Sequence, residues 1–313
     1  MRTLEPLRRM MRYPALVAAI LAIAGCDSAN DAIDAIDDIG NDADVYYYVS
    51  LGTSLSVGVR PNSAGVLLIS NDGYPDQLFD LVRTDFEAGG ANRELRLVKF
   101  GCPGETLDDM INGGSCPYLA GSQLDAAVAF LGDNTGKVIL LTIDIGANDF
   151  RNADCITDAV DFDCVNAVST GISTDLASVL ATLNDAADAS TALVGMNYYN
   201  PYLSSWLDGA DGQVLATESA QAAVVFNDAL ANTYATAGMT MADVYAAFES
   251  DDFVTMVSSS LPPPNSMLPV NVANICAFTY MCDPPPVGPD IHANVSGYSL
   301  IAETLMSELP ATP

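Results

Sequence analysis

The stretch "VYYYVSLGTSLSVG" (45–58) opens with five consecutive β-branched or aromatic residues, reaches Gly52 and then breaks into a serine-containing turn. A short apolar run that stops at a glycine reads as a strand ending in a loop. Four further stretches share its character: "LRLVKFG" (95–101), "KVILLTIDIG" (137–146), "ALVGMNYYN" (192–200) and "MTMADVY" (239–245). Helix-period patterns lie between and after them, over 75–88, 119–132, 165–188, 213–236 and 294–308. Strands alternating with crossover helices predict a parallel sheet covered on both faces. The expected architecture is therefore α/β, a three-layer α/β/α sandwich in one domain spanning residues 45–313.

In open parallel sheets ligands gather at the carboxyl ends of the strands. Ser54 follows the first strand in "GTSLSVG", and Gly104 follows the second in "GCPGET". Asn148 follows the third in "DIGANDF", and His292, the only histidine in 313 residues, precedes the last helix in "DIHANVSGY". Each residue type has a use in acyl transfer. A serine hydroxyl becomes a competent nucleophile when an imidazole takes its proton. The oxyanion that forms needs preorganised donors, which the backbone N–H groups of Ser54 and Gly104 and the Asn148 amide can supply. Ser56 is a second hydroxyl in the same loop, expected to cap a helix start.

In order and spacing, "YVSLGTSLSVG", "GCPGET", "IGAND" and "DIHANVSGY" resemble the four conserved blocks of the SGNH/GDSL hydrolases. The resemblance implies a flavodoxin-like five-stranded parallel sheet of order 2-1-3-4-5 and ester hydrolysis through an acyl-enzyme. It implies Ser54 as nucleophile, His292 as base, and Ser54, Gly104 and Asn148 as the oxyanion hole, with no cofactor and no metal. Two positions depart from the pattern. Thr53 stands where the family carries its name-giving aspartate, and Asp290 is separated from His292 by one residue instead of two, with Pro289 at the usual acid position. The imidazole's partner is thus Asp290 or a main-chain carbonyl near Gly288 or Pro289. The stretch 261–289, rich in proline, is expected to cover the pocket, and Trp206 with "MNYYNPYLSSW" (196–206) to supply another wall.

Composition narrows the partners. Forty acidic residues against 11 basic give a net charge of −29, and no Lys or Arg follows Arg151. Such a surface repels nucleic acid. At the N-terminus, four arginines precede the apolar run "PALVAAILAIAG" and Cys26. That run is too short to span a bilayer and fits a signal peptide over residues 1–25. "IAGC" resembles a bacterial lipoprotein signal, implying Cys26 as a lipidated N-terminus and residues 26–44 as an anchor plus acidic tether. Export suits the six remaining cysteines. They fall into the close pairs Cys102/Cys116, Cys155/Cys164 and Cys276/Cys282, although sequence leaves the connectivity open. The expectation is a monomeric lipoprotein in the bacterial cell envelope, facing the periplasm or the exterior. Its substrate would be a small-molecule or lipid ester. Alternatives are an O-acetyl esterase acting on cell-surface polysaccharide, or a surface binding protein that retains the fold without catalysis.

Overall fold

The computed structural model describes residues 44–90 and 92–310. The expected signal peptide, the Cys26 lipidation site and the tether up to residue 43 lie outside the described residues. Five parallel strands form the central sheet: β1 (Asp44–Gly52), β2 (Arg93–Lys99), β3 (Val138–Asp144), β4 (Ala192–Met196) and β5 (Thr240–Ala242). Their order is β2-β1-β3-β4-β5, the 2-1-3-4-5 arrangement that the resemblance implied. Register pairs Tyr48 with Leu97 on one side of β1, and Val49 with Leu141 on the other. Tyr48, Val49, Leu51, Leu141 and Ile143 are fully buried, as residues of a sheet covered on both faces must be.

The main helices are α1 (Tyr74–Ala88), α2 (Gln123–Asp133), α3 (Ala147–Asn152), α4 (Phe162–Ala186), α5 (Ala210–Thr236) and α6 (Val295–Ser307). The β1-to-β2 crossover moves one way along the sheet and the later crossovers move the other. Right-handed connections therefore put α1 on one face and α2, α4 and α5 on the opposite face. Helix α6 returns to pack against α1, and α4 packs between α2 and α5. Local chemistry sets the helix starts. Ser122, Asp161 and Asn294 each accept a backbone N–H from the first turn of α2, α4 and α6, and Pro75 opens α1.

Two strands are shorter than their apolar runs. β4 stops at Met196, because Asn200 caps the 3₁₀ helix Pro201–Asp208 and takes the chain out of the sheet. β5 stops at Ala242, because Asp243 caps the one-turn helix Val244–Ala247. The six cysteines pair as Cys102–Cys116, Cys155–Cys164 and Cys276–Cys282, all local.

Candidate active site

The end of β1 is held by a buried polar network. Gln123 clamps Gly52 on both sides, its Oε1 accepting from Gly52 N at 2.6 Å and its Nε2 donating to Gly52 O at 3.0 Å. Gly52 has φ +130°, and a side chain there would land on Asp144, so the close approach of β1 to β3 requires glycine. Thr53 Oγ1 donates to Asp144 Oδ2 at 2.8 Å, and Tyr74 Oη donates to Asp144 Oδ1 at 3.3 Å. A threonine hydroxyl on a carboxylate at the end of β3 thus stands where the resemblance leads one to expect an aspartate after Gly52. Burial pushes the Asp144 carboxyl up to about 7, against the hydrogen bonds from Thr53 and Tyr74 that favour its ionised form.

Ser54 sits just beyond this network at the entry to the 3₁₀ turn Leu55–Val57, with ordinary backbone angles (φ −60°, ψ −28°). Its Oγ makes no hydrogen bond to any described residue, and its backbone N–H likewise has no acceptor among them. Ser56 does not cap a helix start as expected. It lies inside the turn, fully buried, with its hydroxyl donating to Thr53 O at 2.7 Å. The nearby backbone already satisfies that hydroxyl, whereas Ser54 is half-buried and its hydroxyl stays unbonded among the described residues.

Gly104 has φ +84° and follows Pro103 in a turn closed by Glu105 N donating to Cys102 O at 3.2 Å. Proline then a left-handed glycine is the signature of a type II turn. Its backbone N–H has no acceptor among the described residues. The Cys102–Cys116 disulfide anchors this turn, and α3 ties it from the other side. Asn148 Nδ2 donates to Glu105 O at 2.9 Å, and Asp149 accepts from Leu107 N with both carboxylate oxygens at 3.1 Å. An amide nitrogen has two hydrogens, so Asn148 holds the turn with one and has another to give.

His292 lies on the short strand Asp290–Ala293, antiparallel to Thr279–Tyr280, inside the segment stapled by Cys276–Cys282. Its Nδ1 lies 2.8 Å from Asp290 Oδ1, and the same oxygen accepts His292 N at 3.0 Å. Of the two partners left open by the sequence, the ring meets the Asp290 carboxylate. Spacing by one residue works because the carboxylate folds back over its own strand to reach both the ring and the main chain. Burial pushes the Asp290 carboxyl up, but its hydrogen bonds with His292 and the charges of His292 and Arg151 outweigh burial and hold it below the usual carboxylate range.

Ser54, Asn148 and His292 line one cavity of about 170 Å³. No hydrogen bond joins Ser54 to His292, and bonds between nucleophile and base commonly tighten only when substrate is bound. Gly104 is exposed and does not line the cavity. The walls are largely aromatic and aliphatic: Tyr198 and Tyr199 from the segment after β4, Phe226 from α5, Ile156, and Met281. Two expectations are corrected here. Of the segment 196–206, Tyr198, Tyr199 and Tyr202 do form a wall, but Trp206 packs against Phe253, with ring centroids 5.5 Å apart, and does not line the cavity. Of the stretch 261–289, only Met281 reaches the cavity, because the rest is spent on a hairpin strand (Met267–Pro269) and the helix Val270–Phe278.

The sequence left three supporting residues unassigned. Asp144 was the most legible, as the one charged residue closing an otherwise apolar strand. Gln123 lies in a helix 71 residues from the glycine it clamps. Tyr199 Oη donates to Ile291 O at 2.7 Å, one residue before the histidine, and nothing in the wall segment that contains it marks that bond. Among the described residues no cluster of His, Cys, Asp or Glu suits a metal ion, and no helix is long and apolar enough to cross a membrane.

No family model matches this sequence, and no curated protein matches it. Solved structures do. An extracellular lipase from Streptomyces rimosus is 20% identical with a TM-score of 0.50, covering 84% of this chain and 100% of that one. A phospholipase A1 from Streptomyces albidoflavus is 18% identical with a TM-score of 0.50, over 84% and 99% of the two chains. A protein from Parabacteroides merdae described as a GDSL-like lipase is 14% identical with a TM-score of 0.51, over 86% and 97%. The three-layer fold predicted from the alternation of strands and helices is the fold these proteins share with this chain.

Proposed function

We propose that this chain is a serine hydrolase that cleaves carboxylic esters through an acyl-enzyme on Ser54. In this reading His292 takes the Ser54 proton as the hydroxyl attacks the ester carbonyl, then returns it to the departing alcohol. Asp290 holds the ring in one tautomer and stabilises the imidazolium. The N–H groups of Ser54 and Gly104 and the Asn148 amide receive the oxyanion. Water activated by His292 then releases the acid and frees Ser54.

The observation that carries the reading is the 2.8 Å Asp290–His292 pair opening on the same cavity as Ser54 and Asn148. Donors without acceptors at Ser54 and Gly104 support it further. The apolar walls favour an acyl chain over a sugar as the group held inside, which makes the acetylated polysaccharide the weaker alternative. Three disulfides support export, and the sequence around Cys26 supports a lipid anchor in the cell envelope.

The test is hydrolysis of 4-nitrophenyl acetate and octanoate by the purified chain and by Ser54→Ala. Octanoate is expected to be turned over faster by the parent, and Ser54→Ala to lose activity on both. Equal rates from parent and variant would favour a non-catalytic binding protein.

A further inference from the structure

Seven basic residues fall within the described chain, and six are engaged. Arg60, Arg83, Arg96, Lys99 and Lys137 are ion-paired, and Arg93 lies over the rings of Tyr46 and Phe86. The seventh is Arg151. Its guanidinium has no hydrogen bond, ion pair or ring contact with any described residue, although acidic residues outnumber basic ones 40 to 11 in this chain. It is exposed, and it lines the same cavity as Ser54 and His292.

Its position follows from the helix that carries it. Asn148 and Arg151 are three residues apart on α3, so both side chains lie on one face of that helix. Arg151 is near enough to Tyr202 and Asp290 to influence both electrostatically, yet it pairs with neither. Apart from His292, no other acidic or basic side chain lines the cavity. An unpaired guanidinium at the rim of an apolar cavity, in a surface with so many available carboxylates, is a place for an anion that the protein does not supply. Guanidinium binds phosphate and carboxylate through paired, charge-assisted hydrogen bonds.

Building on the ester-hydrolase reading, we propose that Arg151 selects substrates carrying an anionic group, so that the site prefers anionic esters to neutral ones of the same acyl length. The anion can belong to the alcohol, as in a glycerophosphate, or to the acyl group, as in a dicarboxylate half-ester. Arg151 is then a specificity-determining residue three positions beyond the oxyanion donor.

The experiment compares kcat/KM for two matched pairs on the full chain. One pair is 1-lauroylglycerol 3-phosphate against 1-lauroylglycerol, and the other is mono-4-nitrophenyl adipate against 4-nitrophenyl hexanoate. The anionic-to-neutral ratio should exceed one in the pair that matches the natural anion. It should fall about tenfold in Arg151→Gln and recover in part in Arg151→Lys. A ratio that is the same in parent and Arg151→Gln for both pairs overturns the proposal while leaving the esterase reading intact, provided Ser54→Ala is inactive. No Ser54-dependent turnover of any of the four substrates overturns both.

Discussion

At the serine end of the site, Asp144 is fully buried at the end of β3, and burial drives its carboxyl up to about 7. At the histidine end, Asp290 sits on a two-stranded ribbon, and its bonds and charge partners pull it below the usual carboxylate range. One carboxylate is poised to carry a proton inside the core, where Thr53 and Tyr74 surround it. The other stays ionised beside the ring it must orient. The difference separates scaffold from chemistry: Asp144 fixes the backbone that presents Ser54, whereas Asp290 acts on the group that moves protons. The two ends should therefore fail differently.

The largest expected effect lies at the histidine end. Asp290→Ala should lower kcat by roughly three to four orders of magnitude with little loss of stability, because the carboxylate acts on the ring's tautomer and charge. Near-normal turnover would mean that a main-chain group orients the imidazole instead.

Next comes the serine end, where the cost should appear as unfolding. Asp144→Ala leaves the buried hydroxyl of Tyr74 with only a weak contact to Ser50 at 3.4 Å, and removes the hydrogen bond that holds Thr53. A loss of about 3 kcal/mol in denaturant unfolding is expected. The pH dependence has the same origin. Burial raises Asp144 and Glu105 to about 7 and Asp149 to about 6, so the folded chain binds more protons than the unfolded chain between about pH 4 and 7. Stability should fall as pH rises across that window. Asp290 contributes with the opposite sign, because its lowered pKa adds stability at neutral pH that is lost on acidification. The urea midpoint is therefore expected to be higher at pH 5 than at pH 8, and Asp144→Asn should flatten the slope. A variant with the parental slope would show that Asp144 does not gain a proton on folding.

The same contrast explains what the sequence made legible. The five strands and their crossover helices were visible because a sheet buried on both faces needs uninterrupted apolar runs, and helix caps such as Asn294 mark the boundaries. Ser54, Gly104, Asn148 and His292 were visible because each occupies a strand-end or helix-start loop in a fixed order. Gln123 and Tyr199 were not, since they act across 71 and 92 residues and their roles depend on which backbone atom they meet. Trp206 misled for a related reason: an aromatic beside a pocket segment can turn either way, and this one turns to Phe253.

Smaller effects test how the histidine strand is held. Replacing Cys276 and Cys282 with serine opens a short loop and should cost about 2 kcal/mol. The loss should appear in thermal melts, together with a lower kcat measured well below the melting temperature. If kcat is unaffected, the ribbon holds its register without the staple.

The smallest effect is expected from Tyr199→Phe. The substitution keeps the ring stacked on Phe248 at 4.7 Å and removes only the hydroxyl that donates to Ile291 O. One buried hydrogen bond is worth about 1 kcal/mol, and Ile291 is adjacent to His292, so the strand should shift slightly. A fall of a few-fold in kcat with KM nearly constant is expected, because phenylalanine keeps the ring that lines the cavity and removes only the bond that positions the base. Wild-type kinetics in Tyr199→Phe alongside impaired kinetics in the serine pair would assign the ring's placement to the stapled ribbon alone. Impairment in both would mean that the sheet reaches across through Tyr199 to set the distance between its own serine and the histidine on the ribbon.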